Sequence, residues 1–239
     1  YYARRFDCLE VNVSYYRIPD ARLFASMDRR TPPGFHFVVK LHGDMTHRGS
    51  LDPELYGSFD AALAPLRDSG KMHGLLAQFP WGFKNTPENQ DFLRHLRDRV
   101  PRDPLFVEFR NAGWVQEPLF PFLEQLEIGY VSVDEPRLRG LVPPIARATT
   151  GVGYVRLHGR NARHWYSGGG DLDRGSPPTT RAGRSGPAPD GSSPRERTLP
   201  QRGGGREGQL RYDYLYNEAE LREWAEKLIS YETHELRRI

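Results

Sequence analysis

Phe35–His42 reads FHFVVKLH, and its two parities differ in kind: Phe35, Phe37, Val39 and Leu41 are apolar, while His36, Lys40 and His42 occupy the alternate positions. Side chains alternate across a β-strand with period two, so this run presents one greasy face and one ionisable face. Five other short runs share the habit. Phe6–Asn12 sets Cys8, Glu10 and Asn12 against Leu9 and Val11, and Leu75–Phe79 sets Gln78 against Leu75, Ala77 and Phe79. Leu105–Arg110 sets Glu108 and Arg110 against Leu105, Val107 and Phe109. Tyr130–Asp134 sets Ser132 and Asp134 against Val131 and Val133, and Tyr154–Arg160 sets Arg156, His158 and Arg160 against Val155 and Leu157. The polar residues fall late in each run.

Helical spacing fills the intervals. Leu23, Phe24 and Met27 line one side of Pro19–Arg30; Leu55, Phe59, Ala62, Leu63 and Leu66 recur through Pro53–Arg67. Pro87–Val100 has Phe92, Leu93, Leu96 and Val100, with Pro87 suited to a first turn. Glu117–Glu127 has Leu119, Phe122, Leu123 and Leu126, with Pro121 opposing a regular start. In Asn217–Tyr231, Asn217 and Glu220 form a capping box ahead of the stripe Leu221, Trp224, Leu228 and Ile229. No helix is read between Asp134 and Gly153.

Alternating strands and helices imply parallel pairing through right-handed crossovers, with both sheet faces covered. A polar parity in such a sheet is not a solvent face. A TIM-type (β/α) barrel explains it, with greasy sides facing the helices and polar sides facing the lumen, ionisable groups gathering at the C-terminal strand ends. The alternative, a doubly wound open sheet, lacks a glycine-rich phosphate loop after the first strand.

The 239 residues suit one large domain, since barrels use roughly 200–250. A net charge of +3 with a pI near 9.0 permits an anionic ligand without demanding nucleic acid. The single cysteine excludes an intrachain disulfide framework and fits a reducing compartment. Cys8 reads as a small apolar filler of a buried strand. No apolar run reaches the roughly 18–20 residues a membrane span needs, and no secretory signal opens the chain. A cytoplasmic protein with no membrane partner is expected. Ser167–Gly208, rich in Gly, Pro, Ser and Arg, has only Leu172 and Leu199 as large apolar residues and accounts for part of the low mean hydropathy of −0.70. It reads as a disordered insertion, a solvated tether between a barrel core, 1–166, and a C-terminal barrel segment, 209–239.

Six blocks together resemble the YecE-like family, domain of unknown function 72: Phe6–Tyr16 (FDCLEVNVSYY), Phe35–His47 (FHFVVKLHGDMTH), Leu75–Phe83 (LLAQFPWGF), Phe106–Trp114 (FVEFRNAGW), Val155–Arg160 (VRLHGR) and Arg211–Trp224 (RYDYLYNEAELREW). The resemblance implies a TIM-type barrel. The family pattern starts earlier, with a strand and a Gly-Trp element, and ends later, with a strand carrying an asparagine pair. An incomplete barrel lacking its first and last strands is therefore expected, with two exposed edges. At Asn111 the family more often has histidine.

Glu10 and Glu108 are the candidates for acid–base work, because two carboxylates in a partly dry lumen can be driven apart in pKa. The competing reading pairs each with Arg110 or Arg156 in a structural network. Asn12 and Gln78 would orient a ligand or water. Lys40, Arg110, Arg156 and Arg160 outnumber Glu10, Glu108 and Asp134, which favours an Arg/Lys clamp for a carboxylate, phosphate or sugar phosphate. His158 reads as a proton shuttle near neutral pH. Trp81, Trp114, Trp165 and Tyr166 follow strand ends, with Trp114 the best pocket wall; Trp224 reads as core, and Asp213 as an orienter of Arg160 or Arg211. His36 reads as packed in the core; His73, His95 and His234 read as surface. His42, Asp44 and His47 are too weak a pattern to assign a metal, and no cofactor is specified. Two functions follow: a hydrolase or lyase on a small anionic or polyhydroxylated substrate, or a non-catalytic ligand- or nucleic-acid-binding barrel.

Overall fold

The computed structural model describes residues 1–165 and 213–236. The predicted insertion 167–208 and the residues Tyr166, Arg211 and Tyr212 lie outside them. Six strands form one parallel sheet in chain order: β1 (Cys8–Val11), β2 (His36–Lys40), β3 (Met72–Gln78), β4 (Leu105–Glu108), β5 (Ile128–Asp134) and β6 (Tyr154–Leu157). The sheet curls until side chains of β1 and β6 touch, Arg156 reaching Glu10 at 2.7 Å. The architecture is an α/β fold with a curled half-barrel sheet, an incomplete TIM-type barrel.

Crossovers carry the helices to the convex side. They are α1 (Val13–Tyr16), α2 (Ala21–Arg29), α3 (Gly43–Thr46), α4 (Pro53–Ala62), α5 (Ala64–Asp68), α6 (Pro87–Arg99) and α7 (Leu119–Gln125), with α8 (Glu218–Leu236) after β6. Side-chain caps begin several: Asp20 on α2, Asp52 on α4, Thr86 on α6, and the reciprocal Asn217–Glu220 box on α8. The single helix expected over Pro53–Arg67 is two, because Pro65 removes a backbone donor and breaks the run at Leu63. Phe24, Phe59, Leu63, Leu66, Leu93 and Leu123 pack with Phe37, Val39, Leu75, Ala77 and Val107 in one core. Each of these Phe, Leu and Val side chains contributes about 1.5–3 kcal/mol by leaving water. Between β5 and β6 the chain has no helix.

Register fixes which side each residue faces. In neighbouring parallel strands the partners Glu10↔Val38, Lys40↔Leu76, Gln78↔Glu108 and Phe106↔Gly129 share the concave face. The pairs Val131↔Tyr154 and Val133↔Arg156 then put the valines of β5 on that face too. Ser132 and Asp134 point to the convex side, the reverse of the expectation. All seven residues of β5 are buried, so polarity alone does not mark its side.

The lower part of the concave face is filled by Phe106, 2 % exposed, lying between Gly74 of β3 and Gly129 of β5, with the ring of Tyr154 edge-on at 5.4 Å. A Cβ on Gly74 would come within 2.5 Å of the Phe106 ring, and one on Gly129 would collide with it outright. Two positions without side chains thus make room for one large ring, and the polar residues are displaced upward to the strand C-termini.

Three other expectations change. Cys8 is exposed, because β1 is an edge strand among the described residues. His73 lies in β3, its ring 4.2 Å from that of His36, which is itself only half-buried. Of the stripe on α8, Trp224 is buried at 3 % exposure while Leu221, Leu228 and Ile229 are exposed.

Candidate functional site

Five strands deliver ionisable groups to the upper concave face. Arg156 of β6 is the hub. Its Nε and Nη2 each donate to Glu10 of β1 at 2.7 Å, and its Nη1 donates to Glu108 of β4 and, at 3.3 Å, to Gln78 Oε1 of β3. Tyr154 adds its hydroxyl to Glu10 at 2.5 Å, and Asn12 its amide at 2.8 Å. Glu108, wholly buried, also receives Arg110 at 2.8 Å and faces His158 Nε2 at 3.1 Å. Arg110 passes on to Glu135 at 3.0 Å, whose other oxygen accepts from the Val142 amide.

Lys40, the last residue of β2, stands apart. Its Nζ donates to Gln78 Oε1 at 2.8 Å and lies 4.6 Å from the centroid of the Tyr15 ring. Among the described residues no carboxylate forms an ion pair with it. Gln78 Oε1 thus accepts from two cations, Lys40 and Arg156. Burial, reinforced by the Arg156 charge, pushes the Lys40 amine down to about 8.

The electrostatics give both expected acid–base carboxyls the same direction of shift. Burial alone would raise both carboxyls, but Arg156 holds Glu10 below the usual range, and Arg110 and Arg156 hold Glu108 well below it. Neither stores a proton near neutrality. His158 is pushed down to about 4 by burial and by Arg110, so its imidazole is uncharged at neutral pH and no cationic shuttle. The group the sequence reading missed is Glu135, which burial raises to about 7 against the pull of Arg110. Its position directly after Asp134 hid it: with β5 facing the other way, Glu135 rather than Asp134 turns to the site.

Asp134 and Arg160 do not join this group. Arg160 forks onto Asp134 at 2.8 and 3.0 Å and reaches Glu223 of α8 at 3.0 Å, on the convex side. Asp213 does not hold it; the Asp213 carbonyl accepts from Asn161. The concave face therefore carries Lys40, Arg110 and Arg156 against Glu10, Glu108 and Glu135, a balance of three and three rather than a positive excess. The forks of Arg110 and Arg156 already hold carboxylates, so of the expected clamp only Lys40 has no such partner among the described residues. Trp114 is no pocket wall: it is 1 % exposed, stacked between Phe109 and Phe83, its indole N–H on the Phe83 carbonyl. Trp165 is buried too, while Trp81 is 43 % exposed near the mouth. Among the described residues no group of three or more His, Cys, Asp or Glu side chains is placed to hold a metal ion. His42 instead caps α3, accepting from the Asp44 amide.

A cleft of about 270 Å³ opens between the sheet edges, lined by Glu10 and Val38 on one side and Tyr154, Arg156 and His158 on the other. No helix among the described residues is long and apolar enough to cross a membrane.

Comparison with known proteins gives the same architecture. A DUF72 family protein from Thermotoga maritima superposes with a TM-score of 0.70 and 33% identity, over 94% of this chain and 73% of that one. One from Enterococcus faecalis gives 0.65 and 30%, over 69% and 64%. UPF0759 protein YunF of Bacillus subtilis is 29% identical across 95% of this chain and 73% of its own length. Residues 1–238 match the family described as protein of unknown function DUF72, and the chain belongs to that family.

Proposed function

We propose that the chain is an enzyme of hydrolase or lyase type, taking a small anionic or polyhydroxylated substrate at the C-terminal mouth of the barrel. What carries the reading is Lys40. A network serving only structure would pair its charges, as Arg110 and Arg156 are paired here, yet a half-buried amine stands beside them with an amide oxygen and an aromatic ring for neighbours. Perturbed ionisable groups gathered in a concave site are the usual mark of chemistry. In this reading Lys40 meets the substrate. Glu10, Glu108, Arg110 and Arg156 are positioning residues that hold a dense fixed field around it, and Gln78 sets the direction of its Nζ. His158, uncharged, donates to Glu108 and holds that carboxylate in place. Glu135 titrates near neutrality and moves the net charge of the face between zero and one positive. Asn12 orients Glu10.

The test is a turnover screen over phosphate esters, sugar phosphates and glycosides, with Lys40→Met alongside. Turnover should fall at least about 100-fold in the variant with little change in melting temperature. A chain and a full-length relative that both turn over nothing, with melting temperatures that no such ligand shifts, would end the proposal. Binding that survives Lys40→Met and Glu10→Gln, with no turnover in the unmodified chain, would instead favour a non-catalytic receptor for ligand or nucleic acid.

A further inference from the structure

The chain holds four lysines, Lys40, Lys71, Lys84 and Lys227, and their surroundings differ. Lys71 is locked by Asp28 at 2.7 Å and by two backbone carbonyls at 2.8 and 2.9 Å. Lys227 is paired with Glu223 at 2.7 Å. Lys84 lies over the exposed Trp81 ring at 5.3 Å. Lys40 alone among them ends a barrel strand on the concave face, near the Arg110 and Arg156 guanidinium groups. An amine so placed is an activated nucleophile, because desolvation and a neighbouring cation both favour its neutral form.

We propose that Lys40 is the carbonyl-capturing amine of this site, condensing with a small aldehyde or ketone substrate to form an imine. The inference rests on the enzyme reading above and names its substrate class. The nitrogen lone pair forms a bond to the carbonyl carbon while the carbonyl π pair moves to oxygen, which takes up the proton that nitrogen gives away. The resulting hydroxyl then leaves as water with one further proton, and a carbon–nitrogen double bond remains. Counted from the ammonium form, one ammonium and one carbonyl give one iminium and one water, with charge conserved and no oxidant or reductant needed. The iminium withdraws electrons from the adjacent carbon, which is what a lyase acting on a hydroxylated carbonyl compound requires.

The groups facing Nζ suit that cation. Gln78 Oε1 accepts from it, the Tyr15 ring lies against it, and Glu10 and Glu108 supply negative potential opposed by Arg156 and Arg110. None of the described carboxylates is paired with the nitrogen, so no salt bridge holds it in the protonated form, which has no lone pair to offer.

The test is reductive trapping. The full chain is incubated with glycolaldehyde or pyruvate and sodium cyanoborohydride, digested, and each lysine peptide is weighed by mass spectrometry. Lys40 should carry the reduced adduct about tenfold faster than the exposed Lys84. Its rate should climb as pH rises toward about 8. Lys40→Arg should abolish that adduct while Lys84→Arg leaves it. Labelling of Lys84 at an equal or greater rate, or none at Lys40, overturns the proposal. If a non-carbonyl substrate turns over while Lys40 stays unlabelled, the imine falls and the enzyme reading stands. If Lys40 is labelled but nothing turns over, the reverse holds.

Discussion

Glu10 on β1 and Arg156 on β6 grip each other across the open side of the sheet, both carboxylate oxygens engaged at 2.7 Å by two guanidinium nitrogens. No backbone hydrogen bond joins these two strands in the sheet. Among the described residues side chains alone span the opening, and the strength of that span is measurable.

Arg156→Met leaves Glu10 and the buried Glu108 without their shared cation. Removing one partner of a buried pair costs about 3–5 kcal/mol. Urea unfolding should show that loss, and amides of β1 should exchange with solvent faster. In a cycle with Glu10→Gln, the double variant should be more stable than the sum of the singles predicts, by about 1–3 kcal/mol. Strict additivity would mean that the grip contributes nothing.

Glu135 and His158 should give stability opposite dependences on pH. The Glu135 carboxyl is raised from 4.5 to about 7, so its contribution is fully present below about 4.5 and fades as pH climbs to about 7. The His158 imidazole is lowered from 6.5 to about 4, so its contribution is fully present above about 6.5 and fades as pH drops to about 4. Each spans about 3 kcal/mol and the two largely cancel. Glu135→Gln should make stability rise more steeply between pH 4.5 and 6.5, and His158→Gln should make it fall. Melting curves at half-unit pH steps decide the matter; two variants with parallel profiles would refute it.

Gly129→Ala forces a methyl into the Phe106 ring. Overpacking of this kind costs about 1–3 kcal/mol. Adding Phe106→Leu should recover part of the loss, since the smaller side chain vacates the space that the methyl needs. Denaturant midpoints of the single and double variants test the pairing.

Arg160 joins the end of β5 to α8, through Asp134 on one side and Glu220 and Glu223 on the other. Arg160→Leu leaves the buried Asp134 without its cation and should cost about 3–5 kcal/mol. Trp224, 3 % exposed, reports it: its fluorescence should shift to the red as α8 loosens.

Much of this was legible in the chain. Period-two alternation located all six strands and put Glu10, Lys40, Gln78, Glu108, Arg110, Arg156 and His158 on one face, because on those strands the other parity was plainly apolar. It failed on β5, where both faces are covered and a convex aspartate is neutralised by an arginine from a later loop. Glu135 went unseen for the same reason. Charge states were not legible either: whether Glu108 holds a proton depends on which arginines reach it, and that is settled by strand register. Trp114 followed a strand end as expected, but the Phe83 and Phe109 rings that enclose it come from other parts of the chain.

Among the described residues the two margins of the sheet, β1 and β6, share one heading. Copies related by a dyad abut like margins in opposed directions, which adds one antiparallel ladder to an otherwise parallel sheet. Joining β6 of one molecule to β1 of the next keeps that heading but is a head-to-tail contact, and repeated it gives a ring or an open fibre. Joined head to tail, self-association through this seam is polar, growing from either end by different surfaces; joined like to like, it closes as a dyad dimer with one antiparallel pair at its centre.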